Sequence, residues 1–440
     1  MIRRRQLLTA SAAVLAAPAI VERANAQSTF DWKQAKGSKL EVNFGKHPSA
    51  DVLQAKQKEF EELTGIKVGS EQIPEQQQRP KVAMELSTGR PSFDVVSISL
   101  HVQKRLIEKG KWMEDLRPYL RDAGKTNPDF DFPDFSAGAL RYGTAADGTL
   151  HTLPSLPDFW MVYWNKALFA EKGLAFPKTM DEMLETARKL NDPAKGVYGF
   201  VGRGLKNANL PLFTQILLGM GKETLSADGK TLLMDTPDAI WAAELYKKLM
   251  RETAPSGAIG FNWNECQTTF AQGRAAMWVD GIGFSAPLVD PTKSKIVKDI
   301  GFAPMPAGPK AQHSAMFCSG LCIPAASKSK LGAWLYIQWA TDKANCAEIL
   351  RLGAGMPPRA SAFRNEAVRK SSAFSAEWFD TAIACQSMVR PGLPEIVSVT
   401  EFRDVFGVAL TNMISGGDPA DELKKASAAF KPVFEKEQAA

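Results

Sequence analysis

The residue types that most often carry catalysis or bind metals are sparse in this chain of 440 residues. The sequence has no Cys-x-x-Cys pair, Walker loop, G-x-G-x-x-G fingerprint or G-x-S-x-G elbow. Ser327 and Lys330 match the Ser-x-x-Lys pattern of serine acylases, but they stand in a polar turn without the rest of that machinery. The chain has four histidines, and none forms a helical metal pair at i, i+4: His47, His101, His151 and His313. The sequence therefore predicts no enzyme, no catalytic residues, no metal site and no cofactor.

One carboxylate stands at a position that is typical of ligand contacts. Asp280 follows the apolar run 276–279, which predicts a buried strand, and it precedes Gly281. Open α/β sheets bind ligands where their strands end, so Asp280 is a candidate acceptor for a ligand hydrogen bond. The same pattern fits an Asp-Gly turn, and both interpretations stay open.

The five cysteines do not form a predicted disulfide framework. Their number is odd, so they cannot all pair within the chain. Cys318 and Cys322 lie in a predicted strand, where four residues separate them by roughly 13 Å, too far for a bridge. We therefore expect buried free thiols.

The elements that must position these residues alternate between strand and helix. Strands are predicted at 39–45, 66–73 and 93–99, with helices between them. One of these helices is expected to begin with Asp51 as its cap and to end before Gly65. The alternation starts again near residue 155, so the sequence predicts α/β domains with a largely parallel sheet.

The charge balance argues against nucleic acid as a partner. Basic residues number 54 and acidic residues 48, and setting aside the first 26 positions leaves 50 against 47, a net charge of +3. A nucleic-acid-binding protein needs a clustered basic face, and this chain has none in its sequence.

The first 26 residues have the three-part layout of an export signal. Basic residues are followed by an apolar run over 7–20 and then by Ala24-Asn25-Ala26, which predicts cleavage after Ala26. Arg4 and Arg5 before Gln6-Leu7-Leu8 favour a twin-arginine signal, and a general secretory signal stays open. The sequence thus predicts a periplasmic protein.

Several segments together resemble a known family. They are Asp147-Gly148-Thr149-Leu150, Leu153-Pro154, Tyr163 to Phe169, Leu86-Ser87-Thr88-Gly89, Phe270 to Met277 and Phe302 to Pro309. In order and spacing this chain is similar to bacterial extracellular solute-binding proteins of the carbohydrate-transport type, the relatives of maltose-binding protein. Trp164, where tyrosine is more usual, and the cysteines of 314–322 depart from that pattern.

The resemblance implies an α/β, two-lobed periplasmic-binding-protein fold of type II with the ligand in the cleft. The first lobe is expected at 36–155 plus 302–355, and the second at 156–301 plus 356–440. Such a protein is a monomer that closes on a sugar, sugar alcohol or short oligosaccharide and delivers it to an inner-membrane ABC permease.

The resemblance also implies a set of cleft residues. Asp158, Phe159 and Trp160 follow the Leu-Pro of the hinge strand, where a carboxylate binds hydroxyls and an aromatic ring stacks on a sugar face. Trp263 precedes a helix, as the cleft aromatic of relatives does. Arg359 lies in a Pro-x-Arg-like segment, and His47 in the loop after the first strand. Core packing or capping is the alternative for each of them.

Two other functions stay open at this point. The same fold binds glycerol phosphate or a polyamine in other members, and an excess of arginine or of carboxylates in the cleft distinguishes these two ligands. A secreted glycan-active hydrolase is the alternative of another class, and turnover of the substrate distinguishes it.

Overall fold

The structure is a computed structural model that describes residues 29–439, so the predicted signal segment lies outside the described residues. The strands of this part are β1 (Lys39–Gly45), β2 (Lys67–Ile73), β3 (Val95–Ser99), β4 (Leu153–Asn165), β5 (Met277–Gly281), β6 (Ile300–Ala303), β7 (Ser314–Cys322) and β8 (Val389–Pro391).

The α-helices fall between and after these strands. They are α1 (Pro48–Ala55), α2 (Gln57–Thr64), α3 (Glu75–Ser87), α4 (Leu100–Gly110), α5 (Arg117–Arg121), α6 (Ala137–Gly143), α7 (Lys166–Glu171), α8 (Met180–Leu190), α9 (Leu210–Leu217), α10 (Pro237–Glu252), α11 (Trp263–Ala271), α12 (Lys330–Ala340), α13 (Lys343–Arg351), α14 (Ala360–Arg364), α15 (Glu366–Ser371), α16 (Ala376–Ser387), α17 (Val399–Ile414) and α18 (Pro419–Gln438).

The strands join in the order β2-β1-β3-β7-β4-β5, with β6 added to β4 and β8 to β7. β2, β1 and β3 form the parallel sheet that the sequence predicts, and the short β8 is parallel to β7. Four strand pairs are antiparallel: β3–β7, β4–β7, β4–β5 and β4–β6. The expectation of a largely parallel sheet is therefore wrong for the part of the sheet that is built on β4 and β7. The reason is that β7 carries the chain back beside β4, in the opposite direction.

The long strand β4 belongs to two parts of the molecule. Residues 153–159 pair with β7, whereas residues 160–165 pair with β5 and β6. The pairing with β7 shifts register between Pro154 and Leu156. We call the part around β1–β3 the first lobe and the part around β5 and β6 the second lobe.

Each lobe has its own apolar core. In the first, Leu40, Val95 and Trp334 pack in one cluster. In the second, the sheet carries a cluster on each face, since Val162 and Val279 lie in one and Met161 and Trp278 in the other. The cluster of Met161 and Trp278 also takes in Leu100 and Tyr142 from the first lobe, so apolar burial stabilises each lobe and also the contact between them.

The lobe boundaries remain a proposal, and the structure helps to refine it. The predicted return to the first lobe at 302 falls within β6, which pairs with the second-lobe half of β4. We therefore propose that the chain returns along β7. Ala354 packs in the first core and Met356 in the second, so we keep the proposed boundary between 355 and 356.

Local signals explain where many elements begin and end. Thr179 and Glu182 form the capping box of α8, and Gly65 ends α2 in the left-handed conformation (φ 71°). Asp51 is not the cap that we expected, because the segment folds as two helices and the His47 side chain caps the first of them.

All five cysteines are free and buried, as predicted. Burial raises the pKa of each thiol, for Cys322 and Cys385 to about 12. Thiols in such surroundings stay protonated and react slowly.

Candidate functional site

A hydroxyl-lined cavity lies where the strands of the first lobe end beside the crossing strands. Its volume is about 160 Å³. It is lined by Phe44, Gly45, Lys46, His47, Ser49, Ala50, Leu53, Gln78, Ser97, Ser99, Ser155, Leu156, Ser319, Leu321, Ala340 and Ile349. Five serines, an amide and an imidazole among these residues offer both donors and acceptors, which suits a ligand rich in hydroxyls.

Hydrogen bonds hold the polar wall of this cavity in place. The Ser97 hydroxyl accepts from the Gly45 backbone N–H at 2.8 Å. The Gln78 amide nitrogen donates to the Ser97 carbonyl oxygen at 2.8 Å and to Asn43 Oδ1 at 3.0 Å. The positions of the donors and acceptors are therefore fixed before a ligand arrives.

His47 lines this cavity and also caps α1. Its Nδ1 lies 2.8 Å from the Ser49 hydroxyl and accepts from the Ser49 backbone N–H at 3.1 Å. Burial lowers the pKa of His47 to about 4, so the imidazole is neutral at pH 7. A neutral ring of this kind adds a hydrogen-bonding group to the cavity without adding charge.

Asp158 lies on β4 two residues beyond Leu156 of the cavity. Its Oδ1 accepts from the Gly283 backbone N–H at 3.0 Å. Burial and, to a lesser degree, the nearby Asp280 raise the pKa of Asp158 to about 7. A carboxyl group near its pKa can donate as well as accept a hydrogen bond, and hydroxyl ligands can use both properties.

Asp280 is fully buried and forms an ion pair with Arg203. Arg203 Nε donates to Asp280 Oδ2 at 2.8 Å, and Nη2 bonds Oδ1. The Gly281 backbone N–H donates to the same Oδ1 at 2.8 Å. Because both oxygens of Asp280 are occupied, its role here is to hold the Arg203 guanidinium.

Arg203 brings the aromatic residues of the second lobe together. Its guanidinium lies 5.2 Å from the Trp160 ring centroid and 5.4 Å from that of Phe284. Phe284 in turn stacks on Trp263, with centroids 4.8 Å apart and planes at 13°. The side chains of Arg203, Trp160, Phe284, Trp263 and Asp280 therefore form one cluster. Trp160 is only 1% exposed in it, and the neighbouring Phe159 on β4 is fully buried.

Arg359 lies outside this cluster. It is fully buried, and its guanidinium donates to the carbonyl oxygens of Thr341, Asp131 and Phe130 at 2.6, 3.0 and 2.7 Å. These bonds tie together segments of the first lobe. We therefore leave Arg359 out of the proposed site.

Sequence reasoning missed three residues around the cleft. Arg203 stands between two glycines, and at Gly204 a side chain would meet the backbone of residues 258 and 259, so the local pattern Gly-Arg-Gly was an available signal. His101 is the second residue of α4, and its Nδ1 lies 3.2 Å from the Cys318 carbonyl oxygen. Arg403 on α17 carries no sequence signal that marks it.

A larger hollow of about 1160 Å³ lies elsewhere. It is enclosed by residues 29–32 and 117–133, and it shares no lining residue with the hydroxyl-lined cavity. Its larger volume therefore does not make this hollow the candidate site. The smaller, hydroxyl-lined cavity is the candidate because of its polar lining beside the crossing strands.

The described residues 29–439 include neither a cluster of metal-ligating side chains nor a membrane-spanning helix. No group of three or more His, Cys, Asp or Glu side chains there is placed to hold a metal ion. No helix in the same range is long and apolar enough to cross a membrane.

The chain matches a known protein family over most of its length. The profile of the family described as bacterial extracellular solute-binding protein matches residues 45–345. The match covers more than half of the chain, which therefore belongs to this family. The fold is that of the type II solute-binding proteins, and the resemblance inferred from the sequence is confirmed.

The chain is similar to three individual proteins whose names state the polyol that they bind. The chain is 27% identical over 413 residues to the erythritol/L-threitol-binding protein of Mycolicibacterium smegmatis, covering 90% of this chain and 86% of the relative. It is 26% identical over 365 residues to the mannitol-binding protein of Pseudomonas aeruginosa, covering 77% and 80%. A solved ABC transporter solute-binding protein from Agrobacterium radiobacter K84 in complex with ribitol superposes with a TM-score of 0.79 at 26% identity, covering 91% of this chain and 99% of that one.

Proposed function

We propose that this protein captures a small polyol or sugar between its lobes and delivers it to an ABC permease. The observation that carries the proposal is the hydroxyl-lined cavity beside Asp158. Its volume of about 160 Å³ equals roughly five water volumes of 30 Å³. That space suits a solute of a few carbons better than an oligosaccharide.

The aromatic side chains support an acyclic ligand. Arg203 covers a face of Trp160 and approaches Phe284, whose ring also stacks on Trp263. Rings that are engaged in this way offer little free surface for a pyranose face. The erythritol-, mannitol- and ribitol-binding relatives agree with this reading.

The remaining parts of the proposal concern catalysis, assembly and location. A glycosidase needs a second carboxyl group that is free to act, whereas both oxygens of Asp280 are held by Arg203 and Gly281. We therefore propose a monomeric binding protein that does not turn over its ligand. Export with cleavage after Ala26, by the twin-arginine route, remains a proposal from the pattern of residues 1–26.

Calorimetric titration with erythritol, ribitol, D-mannitol and maltose tests the proposed function. We expect a polyol to bind and maltose to bind weakly or not at all. Asp158→Ala removes a hydrogen-bonding carboxyl group and is expected to weaken polyol binding more than tenfold, since such bonds contribute about 1.5–3 kcal/mol. The matched control is Asp181→Ala on the exposed side of α8, which should bind as the wild type does. Absence of heat with all of these ligands would refute the proposal.

A further inference from the structure

The hydroxyl-lined cavity changes from polar to apolar with depth. In the antiparallel pairing of β3 with β7, Ser99 lies opposite Ser319, and Ser97 lies opposite Leu321. All four residues line the cavity. Along β7 the chain runs from its pairing with Phe159 of β4 into the first lobe, so Ser319 lies nearer the cleft than Leu321 does. The outer pair thus offers two hydroxyl groups and the inner pair only one.

The deep end of the cavity is walled by hydrocarbon. Phe44, Leu53 and Ile349 also line the cavity. They come from β1, α1 and α13, and at most 5% of each residue is exposed. With Leu321 they belong to the apolar cluster of the first lobe, and we call these four residues the apolar floor. Their side chains neither donate nor accept hydrogen bonds.

The apolar floor favours a methyl group over a hydroxyl group. A hydroxyl that loses its hydrogen bonds to water on burial needs a new partner, and the four side chains of the floor supply none. A methyl group at the same place buries apolar area and leaves no polar group unpaired. The floor therefore discriminates against the terminal hydroxyl group that an ordinary polyol carries at each end.

Ser97 marks the depth at which recognition of hydroxyls ends. Its hydroxyl accepts from the Gly45 backbone N–H at 2.8 Å and keeps its own O–H as a donor. Ser155 lies with the outer pair, because its hydroxyl donates to the Ser319 carbonyl oxygen at 3.5 Å. The hydroxyls of a ligand thus find partners from Ser97 outward to the cleft.

We infer that the ligand is a deoxy polyol or deoxy sugar, whose terminal methyl group lies on the apolar floor and whose hydroxyls face the serines toward the cleft. This inference rests on the proposed function and names the terminal group of the ligand. The cavity of about 160 Å³ holds one end of such a molecule. Asp158, farther along β4, is left to bind hydroxyls at the other end.

Calorimetric titration with matched pairs of polyols tests this inference. Each parent polyol is compared with its 1-deoxy derivative, in which a methyl group replaces one terminal CH₂OH group. The parents are erythritol, ribitol, galactitol and D-mannitol. The first three are meso compounds, so both enantiomers of each of their deoxy derivatives are used. At least one deoxy polyol is expected to bind about tenfold more tightly than its parent, which corresponds to about 1.4 kcal/mol.

Substitutions of one floor residue test whether the floor causes the preference. Ile349→Thr places a hydroxyl group on the floor and should lower the preference for the deoxy polyol at least about threefold. Ile349→Val keeps the floor apolar and should retain the preference. Val82→Thr is the matched control and should leave the preference unchanged. Val82 is 1% exposed, close to the 3% of Ile349, but it packs in a separate apolar cluster with residues of α3, β3 and α4.

Each outcome supports or overturns the inference. If no deoxy polyol binds the wild type at least about threefold more tightly than its parent, the inference is wrong and the proposed function stands. The inference is also wrong if Ile349→Thr keeps the full preference, or if Val82→Thr lowers it equally. If no polyol of either kind binds, the proposed function fails and the inference fails with it. The wild-type comparison decides the question even if a variant does not fold.

Discussion

The position of Asp158 in the fold determines its protonation state. It lies on the crossing strand β4 and takes a backbone hydrogen bond from Gly283 in the second lobe. Burial disfavours the carboxylate, and Asp280 repels it, while Arg203 and the bond from Gly283 favour it. The net result is a pKa of about 7, so that the folded protein holds this proton more tightly than the unfolded chain, where the ordinary value is 3.8.

This difference in pKa predicts a pH dependence of stability. Between about pH 4 and pH 7 the folded state binds more protons at Asp158, so this contribution to the free energy of unfolding falls as the pH rises and levels off above pH 7. The slope is at most about 1.4 kcal/mol per pH unit, and water in the cleft lowers it. Asp158→Asn should lose this component.

Urea unfolding of the wild type and of Asp158→Asn at pH 4, 5.5, 7 and 8 measures this contribution to the free energy of unfolding. The free energy of the variant should gain on that of the wild type from pH 4 to pH 7, while the titrations of other groups cancel in the difference. Parallel curves across this window would contradict the assigned pKa.

Sequence patterns could identify some cleft residues and not others. The sequence could identify Asp280, because a carboxylate after an apolar strand and before glycine is a local pattern. It could not identify the partner Arg203, which lies 77 positions away. Arg359 shows the reverse case. Its segment resembles a cleft motif, but the carbonyl groups that engage it belong to residues 130, 131 and 341, which only the fold brings together.

At the scale of elements, the turn after β5 shapes the site. Gly281 pairs with Trp160 of β4, and its carbonyl oxygen accepts from the Tyr163 hydroxyl at 2.6 Å. A Cβ atom at Gly281 would overlap the Asp158 carboxylate, approaching its Cγ to 2.7 Å. The absence of a side chain is therefore what lets Asp158 lie against this turn.

A pair of glycine substitutions tests this arrangement. Gly281→Ala should force the Asp158 carboxyl group aside, lower the free energy of unfolding by about 1–3 kcal/mol and weaken ligand binding. Gly283→Ala is the matched control, because its Cβ would lie 3.3 Å from Asp158 Oδ1, a contact that a small shift relieves. Neither glycine has a left-handed backbone, so strain at φ does not confuse the comparison.

Thermal unfolding and calorimetric titration of both variants provide the readout. Equal effects at the two positions would show that the close approach of Gly281 to Asp158 is unimportant.

Elements with strong local signals were predictable, and their pairing was not. The strands predicted at 39–45 and 66–73 are where the sequence places them, as Lys39–Gly45 and Lys67–Ile73. The antiparallel pairing of β4 with β7 joins segments about 160 residues apart, and no local pattern encodes the direction in which β7 returns.

At the scale of the whole molecule, two cores are joined by strands that belong to both lobes. Since β4 and β7 continue from one lobe into the other, a change in the angle between the lobes must be absorbed where these strands cross. The pairing of β4 with β7 shifts register between Pro154 and Leu156, in the first-lobe part of β4 that leads to this crossing. Ligand contacts supplied by both lobes would favour the closed arrangement.

The burial of every native thiol leaves the outside of the protein open to selective cysteine chemistry. Ellman's reagent should modify none of the five cysteines rapidly in the native state and all five in guanidinium; rapid reaction of any one of them in the folded protein would show that it is not buried. Cysteines introduced at the exposed Lys58 on α2 and Lys431 on α18 could then carry a fluorophore pair without removal of the natural ones. Energy transfer between the dyes would report closure of single molecules as they take up and release their cargo.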